Sequence, residues 1–209
     1  MWNVARSFMV AAVAAAGFVI AYAPLGAQPP PGVQPPPGAQ PPPGAQPPPR
    51  CDSISGGGFV IKNEAEANFG AHGGCKDGAF WGHVNFVDHG GYLGTTPYHV
   101  RSVEITGYIE IDTNVRDICG IALTNADEPQ PVYFRVRMVG DGQHGTDETF
   151  GIRLSNDYHM TRRTLGNGGP GGGNIRIHNS NPSNTGPDPM PDELAMCAGV
   201  TAPSGGSIN

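Results

Sequence analysis

The sequence predicts an all-β protein: a single antiparallel β-sandwich of jelly-roll type, with a small barrel as the second possibility. Two observations support this prediction. Apolar residues alternate with polar ones over residues 57–179, and glycine-rich breaks divide that stretch into short segments. Such alternation is typical of strands that bury one face and leave the other in water. No stretch keeps a helical period over three turns, which argues against a helical domain.

The strands can be assigned in order along the chain. Segments 58–62, 64–71 and 79–88 come first, and Val103, Ile105, Ile109 and Ile111 keep one parity in the next. Residues 116–124 form the next predicted strand. Two strands with clear alternation follow, the first with Val132, Phe134, Val136 and Met138 and the second with Phe150, Ile152 and Leu154. The last two predicted strands are 158–164 and the one that contains Ile175 and Ile177. A helical turn is expected at 191–196. The core is expected to use Phe59, Phe69, Phe80, Trp81, Phe86, Phe134 and Phe150.

The N-terminus predicts export. Residues 1–27 combine one early charge, Arg6, with an apolar run over 8–22 and small residues after it, a pattern typical of a signal peptide. Cleavage is expected after Ala27. A membrane anchor that is never removed is the alternative, although the apolar run is short for a bilayer.

Three segments follow the predicted cleavage site. Residues 28–50 repeat Gln-Pro-Pro-Pro-Gly, which predicts a polyproline II linker, because proline fixes φ and removes the backbone donor. The β-sandwich domain is expected over 51–180. Residues 181–209 are rich in Pro, Gly, Ser and Asn, and this tail is expected to be loosely ordered except near Cys197.

Charge limits the possible partners. Of the 12 basic and 18 acidic residues, only Arg6 precedes the predicted cleavage site, so the remaining chain is acidic. This argues against nucleic acid as a partner, because affinity for phosphates comes largely from Lys and Arg. No second apolar run occurs, so no membrane span is expected after cleavage. The expected location is secreted, periplasmic or at the cell surface.

The four cysteines are Cys51, Cys75, Cys119 and Cys197. An even number in an exported chain indicates two disulfide bonds. Of the three possible pairings, Cys51–Cys197 with Cys75–Cys119 is preferred, because the first bond would join the two ends of the domain. No Cys-x-x-Cys occurs, so a zinc site or a redox dithiol has no local support.

Several short motifs follow one another along the folded region. They are Gly56-Gly57-Gly58-Phe59-Val60, Asn68-Phe69-Gly70, Asn85-Phe86-Val87-Asp88-His89, Val103-Glu104-Ile105, Asp141-Gly142, Asp147-Glu148-Thr149-Phe150-Gly151-Ile152 and Gly172-Gly173-Asn174-Ile175-Arg176-Ile177-His178. Together they resemble a small bacterial extracellular domain found after choice-of-anchor regions in secreted and surface proteins. The resemblance covers about 57–179. It implies an extracellular β domain and assigns no catalytic residues.

An acidic loop is the best candidate for a metal site. Asp141, Asp147 and Glu148 lie within eight residues between two well-patterned strands, and carboxylate oxygens are the ligands that calcium prefers. Calcium is therefore the one cofactor that the sequence suggests. The alternative is a solvated turn that caps the strand ends.

Four arginines form the second candidate site. Arg135, Arg137, Arg153 and Arg176 point away from the core by parity, and in one sheet they would make a basic stripe for an anionic glycan or another acidic surface polymer. The alternative is cross-strand pairing with Glu104, Glu110 or Asp117.

The sequence favours a non-enzymatic module for adhesion, matrix contact or ligand binding. Neither Gly-x-Ser-x-Gly nor His-Glu-x-x-His occurs. The alternative is a secreted hydrolase or metal-dependent enzyme that uses the 141–148 loop with nearby histidines.

Overall fold

The described part of the chain forms one antiparallel sheet of nine strands. The structure, a computed structural model, describes residues 50–126, 130–140, 148–163 and 171–203. The elements are β1 (Ser53–Lys62), β2 (Ala65–Lys76), β3 (Ala79–Asp88), β4 (Tyr98–Asp112), β5 (Val115–Thr124), β6 (Val132–Val139), β7 (Thr149–Leu154), β8 (His159–Arg163), β9 (Gly172–His178) and the short helix α1 (Glu193–Cys197). Strands β1 to β8 pair in sequence order, and β9 returns to pair with the free edge of β1.

The all-β prediction is confirmed, but a sandwich of two stacked sheets is not. All the described strands belong to one sheet, which curls into a half-barrel around its core. Phe69 on β2 stacks on Phe150 on β7 with ring centroids 4.0 Å apart, although four strands separate them in the sheet. The inside of the curl holds one apolar cluster that includes Phe86, Phe134 and Ile152.

Strand β4 departs from the simple alternation that the sequence predicted. Its pairing with β5 shifts register at three places, between Ser102 and Glu104 and twice further on. Each irregularity turns the following side chains toward the other face. The single parity predicted for this strand is therefore wrong: Val103 is 58% exposed, whereas Tyr108 is buried in the core.

The two disulfide bonds are confirmed, but their predicted pairing is wrong. Cys51 pairs with Cys75, and Cys119 pairs with Cys197. The first bond joins the segment before β1 to the end of the neighbouring strand β2. The second joins β5 to the end of α1. Each bond therefore holds a terminal segment to the sheet, and no bond connects the two termini.

Residues 181–203 pack against the sheet, so the expectation of a loosely ordered tail does not hold for them. The amide of Asp77 donates to the Ser183 carbonyl at 3.0 Å, and the amide of Cys51 donates to the Asn184 carbonyl at 3.1 Å. Helix α1 begins after Asp192, whose side chain accepts from the Ala195 amide. The helix then lies over β4, β5 and β6.

A buried ion pair holds the segment before β1 to β5. Both Nε and Nη2 of Arg116 donate to the carboxylate of Asp52, at 3.0 and 2.6 Å. The Tyr108 hydroxyl donates to the same carboxylate at 2.5 Å. Burial alone would raise the pKa of Asp52, but the bonds from Arg116 and Tyr108 outweigh it and lower the pKa below its ordinary value.

Candidate binding face

Four side chains line up across the outer face of β9, β1, β2 and β3. Arg176 lies opposite Ser55, Ser55 opposite His72, and His72 opposite His83. Directly opposed residues of neighbouring strands point to the same face, so the four form one polar row. The rings of His72 and His83 are 6.2 Å apart.

Two tight turns set this register. β2 and β3 are joined by Asp77-Gly78, both with positive φ, and β1 and β2 are joined by Asn63-Glu64, also both with positive φ. Two-residue connections of this kind fix the strand pairing. The Asp77-Gly78 pair is a strong hairpin signal in the sequence, and it could have predicted the His72–His83 pairing that the sequence analysis missed.

A depression with a glycine floor lies beside the row. It has a volume of about 600 Å³, and Asn85 and Asn174 line it together with Ser55, His72 and His83. Gly57 lies opposite Gly70 in its floor. A Cβ added to Gly70 would have no heavy atom within 4 Å, so the absence of a side chain there leaves open space over the sheet.

Trp81 lies two residues before His83 on β3, so it is the next side chain on the same face of that strand. Its ring centroid is 5.6 Å from that of His72. The side chain is 38% exposed, so its predicted place in the core is wrong. Phe80 and Trp81 are adjacent, and adjacent strand residues point to opposite faces, so they cannot both enter one core. An exposed indole beside a polar depression is typical of a binding surface.

The charge of this face is opposite to that of the whole chain. Its four strands contain two acidic residues, Glu66 and Asp88, and Asp88 is buried with its carboxylate 3.1 Å from Lys62. The same strands carry Arg176, Lys76 and three histidines. The chain as a whole has a net charge of −6. The face therefore favours an anionic ligand.

The two facing histidines differ in their surroundings. His83 Nδ1 lies 3.1 Å from Ser102 Oγ, which itself accepts a hydrogen bond from the Val84 amide. Burial and the neighbouring His83 lower the pKa of His72 below its ordinary value of 6.5. His72 is therefore neutral at pH 7, when its ring offers one donor and one acceptor.

Three of the four predicted binding arginines are used within the structure. Arg135 and Arg137 donate to the buried carboxylate of Asp117, with bonds of 2.6 to 2.8 Å. Arg135 also contacts Glu193 of α1, and Arg153 donates to Thr201. Arg135 and Arg137 therefore pair across strands with Asp117, which is the alternative given in the sequence analysis, and the C-terminal segment contacts Arg135 and Arg153.

Arg176 differs from the other three arginines. It is exposed on β9 and lies in the polar row described above. It is the one member of the predicted set whose position fits a binding role.

The calcium site at the 141–148 loop stays a prediction, because Glu148 alone of its three carboxylates lies among the described residues. Asp141 and Asp147 lie outside the described residues. Glu148 is fully buried, and its Oε1 accepts the Ile175 amide at 2.9 Å. Its carboxylate thus serves the packing of β9 against the start of β7. Within the described ranges, no group of three His, Cys, Asp or Glu side chains is placed to hold a metal ion.

Comparison with family models, with curated proteins and with solved structures gave no match. The described part of the chain also contains no helix with the length and hydropathy needed to cross a membrane. Both disulfides fit a location outside the reducing cytoplasm.

Proposed function

We propose that the protein is an exported, non-enzymatic module that binds an anionic glycan or another acidic surface polymer. The ligand would lie on the binding face, defined as Ser55, His72, Trp81, His83, Asn85, Asn174 and Arg176 around the floor of Gly57 and Gly70. One observation carries the proposal: an open glycine floor lies beside an exposed indole and a row of polar and basic side chains.

Each part of the face suits one part of an acidic sugar. The indole of Trp81 provides a flat apolar surface for the apolar face of a sugar ring. Asn85, Asn174 and Ser55 supply donors and acceptors for hydroxyl groups. Arg176 has a planar fork of donors that matches a carboxylate or a sulfate.

Other features support a role outside the cell. The N-terminal pattern of 1–27 and the proline repeats of 28–50 predict export and a spacer of roughly 70 Å at about 3.1 Å per residue. The resemblance to the extracellular domain found after choice-of-anchor regions points the same way. A module on a spacer is suited to reaching a polymer at a distance from its point of attachment.

The sharpest test fills the floor without harming the fold. Gly70→Val adds a side chain into open space and replaces glycine by a residue that favours strands. We expect the melting temperature to hold and binding to an acidic polysaccharide, such as alginate or heparin, to fall at least about tenfold. Trp81→Ala should weaken binding similarly, measured by calorimetry with the full chain.

Two matched variants serve as controls. Tyr133 is 46% exposed on β6, outside the binding face, so Tyr133→Ala removes an exposed aromatic and should leave binding unchanged. Arg176→Lys keeps the charge and loses the fork, whereas Arg176→Gln loses both. A loss in Arg176→Gln that Arg176→Lys partly restores supports recognition of an anion. Full binding by Gly70→Val would refute the proposed site.

A further inference from the structure

The two glycines in the floor of the binding face belong to a row of residues that crosses five strands. Gly57 of β1 lies between Asn174 of β9 and Gly70 of β2. Beyond Gly70, the row continues with Asn85 of β3 and Arg101 of β4. Directly opposed residues of neighbouring strands share a face, so all five lie on the outer face of the sheet. These five residues are called the glycine row.

Larger side chains flank the two glycines along their own strands, so the middle of the glycine row is a trough. On β2 the glycine lies between Asn68 and His72, and on β1 it lies between Ser55 and Phe59, each two residues away on the same face. Phe59 was expected in the core, but it shares the parity of Ser55 and is only partly buried. A linear ligand in the trough therefore crosses the strands and does not run along one of them.

An arginine lies near each end of this trough. Arg176 is on β9, and Arg101, which the sequence analysis did not select, is on β4. Both are exposed, and neither pairs with a carboxylate within the described ranges, whereas Arg116, Arg135 and Arg137 all do. Strands β9 and β4 are four strand spacings apart, which is roughly 19 Å at about 4.8 Å per spacing. The two free cations are therefore held at a fixed distance on one face.

We infer that the trough binds a linear polyanion in extended form, laid across the strands from β9 to β4 with one anionic group on Arg176 and another on Arg101. This inference rests on the proposed function and adds the direction of the polymer and its second charged contact. Each guanidinium has a planar fork of donors that matches a carboxylate or a sulfate. The amides of Asn174 and Asn85, between the two arginines, supply donors and acceptors for hydroxyl groups.

The distance between the two arginines predicts a threshold in ligand length. An oligomer that is too short to place two anionic groups roughly 19 Å apart contacts one arginine only. A longer oligomer contacts both, and the second contact strengthens binding because it forms within the same complex at a high effective concentration. Affinity should therefore rise over a narrow range of length and change little beyond it.

The test measures binding of the full chain to a series of acidic oligosaccharides by calorimetry. The oligomers run from the disaccharide to the decasaccharide and are prepared from alginate or heparin, whichever polymer the full chain binds. We expect the rise in affinity across the threshold to be at least about tenfold. In Arg101→Gln, the long oligomers should bind no more tightly than the short ones. Arg101→Lys keeps the charge and loses the fork, so it should restore part of the rise.

Arg50→Gln is the matched control, because Arg50 is also exposed but lies before β1, outside the trough. It should bind every oligomer as the wild type does, and all three variants should keep the wild-type melting temperature. Affinity that does not depend on length, or long oligomers that bind Arg101→Gln as tightly as wild type, would overturn this inference and leave the proposed function standing. An equal loss in Arg50→Gln would also overturn it, in favour of net charge alone. No binding of wild type to alginate or heparin would refute the proposed function and this inference with it.

Discussion

The ion pair between Asp52 and Arg116 gives the clearest stability prediction, because one guanidinium contacts two carboxylates in different surroundings. Asp52 accepts two bonds from Arg116, whereas Glu110 accepts one at 3.2 Å. Arg116 is 3% exposed, and the side chain of Glu110 is 66% exposed. Asp52→Asn and Glu110→Gln each replace one of the two carboxylates that contact Arg116 with a neutral amide of nearly the same shape.

The two substitutions should lower the free energy of unfolding by amounts that differ several-fold. Breaking a buried ion pair on one side costs about 3–5 kcal/mol. Arg116 keeps its bonds to the carbonyls of Asp112 and Val115, so the cost of Asp52→Asn should be nearer 2–4 kcal/mol. Glu110→Gln should cost under about 1 kcal/mol, as exposed pairs do. For a domain of this size, the first value lowers the melting temperature by roughly 5–15 °C.

The assay is denaturant unfolding of wild type and both variants between pH 7 and pH 2. The pKa of Asp52 is depressed in the folded state, so its contribution is present above the ordinary value of 3.8. That contribution is lost as pH falls through the folded value. The gap between wild type and Asp52→Asn should therefore be wide at pH 7 and narrow below pH 3.8. Equal costs for the two variants at pH 7, or a gap that does not change with pH, would refute this reasoning.

Three further predictions address the disulfides, the arginine cluster and the binding face. Replacing Cys119 and Cys197 with alanine should lower the free energy of unfolding by about 4.5 kcal/mol, because that bond closes a sequence separation of 78 residues. Replacing Cys51 and Cys75 with alanine should lower it by about 3.5 kcal/mol, because that bond closes a separation of 24 residues. The opposite order of stability in urea unfolding would contradict this. Asp117→Asn should cost about 3–5 kcal/mol in thermal unfolding, because two arginines lose a buried partner, whereas Glu193→Gln, on an exposed side chain, should cost under about 1 kcal/mol. Affinity for an acidic polysaccharide should rise as pH falls below 6.5 and His72 gains its proton, and calorimetry on His72→Gln should show a weaker pH dependence. An unchanged pH profile in that variant would assign the effect to other groups.

The sequence predicted the strands well and the faces less well. Phe69, Phe86, Phe134 and Phe150 are buried as expected, because regular alternation is enough to place them. Val103 is exposed, although the sequence placed it on the same face as Ile105, because the pattern of apolar residues does not reveal the register shifts in β4.

The site was harder to predict because it depends on contacts between strands. Spacing alone leaves three pairings for four cysteines, and the strand order decides among them. Arg135 and Arg137 do point outward as predicted, but both pair with Asp117 and Arg135 also contacts Glu193 of α1. No local pattern shows where a segment 58 residues away will pack. By contrast, a two-residue turn at Asp77-Gly78 would have placed His72 opposite His83, although the sequence analysis did not use it.

The disulfide pairing also determines how far the domain can stretch under tension. A pull between Cys51 and Cys197 passes through the first bond to Cys75, along the chain to Cys119, and through the second bond. Residues 52–74 lie inside the loop closed by the first bond and residues 120–196 inside the loop closed by the second, and neither segment carries this tension. Only the stretch from Cys75 to Cys119 can extend, to roughly 150 Å at about 3.5 Å per residue. A domain pulled at these two ends would therefore yield over a short distance and keep most of its chain out of the path of the force.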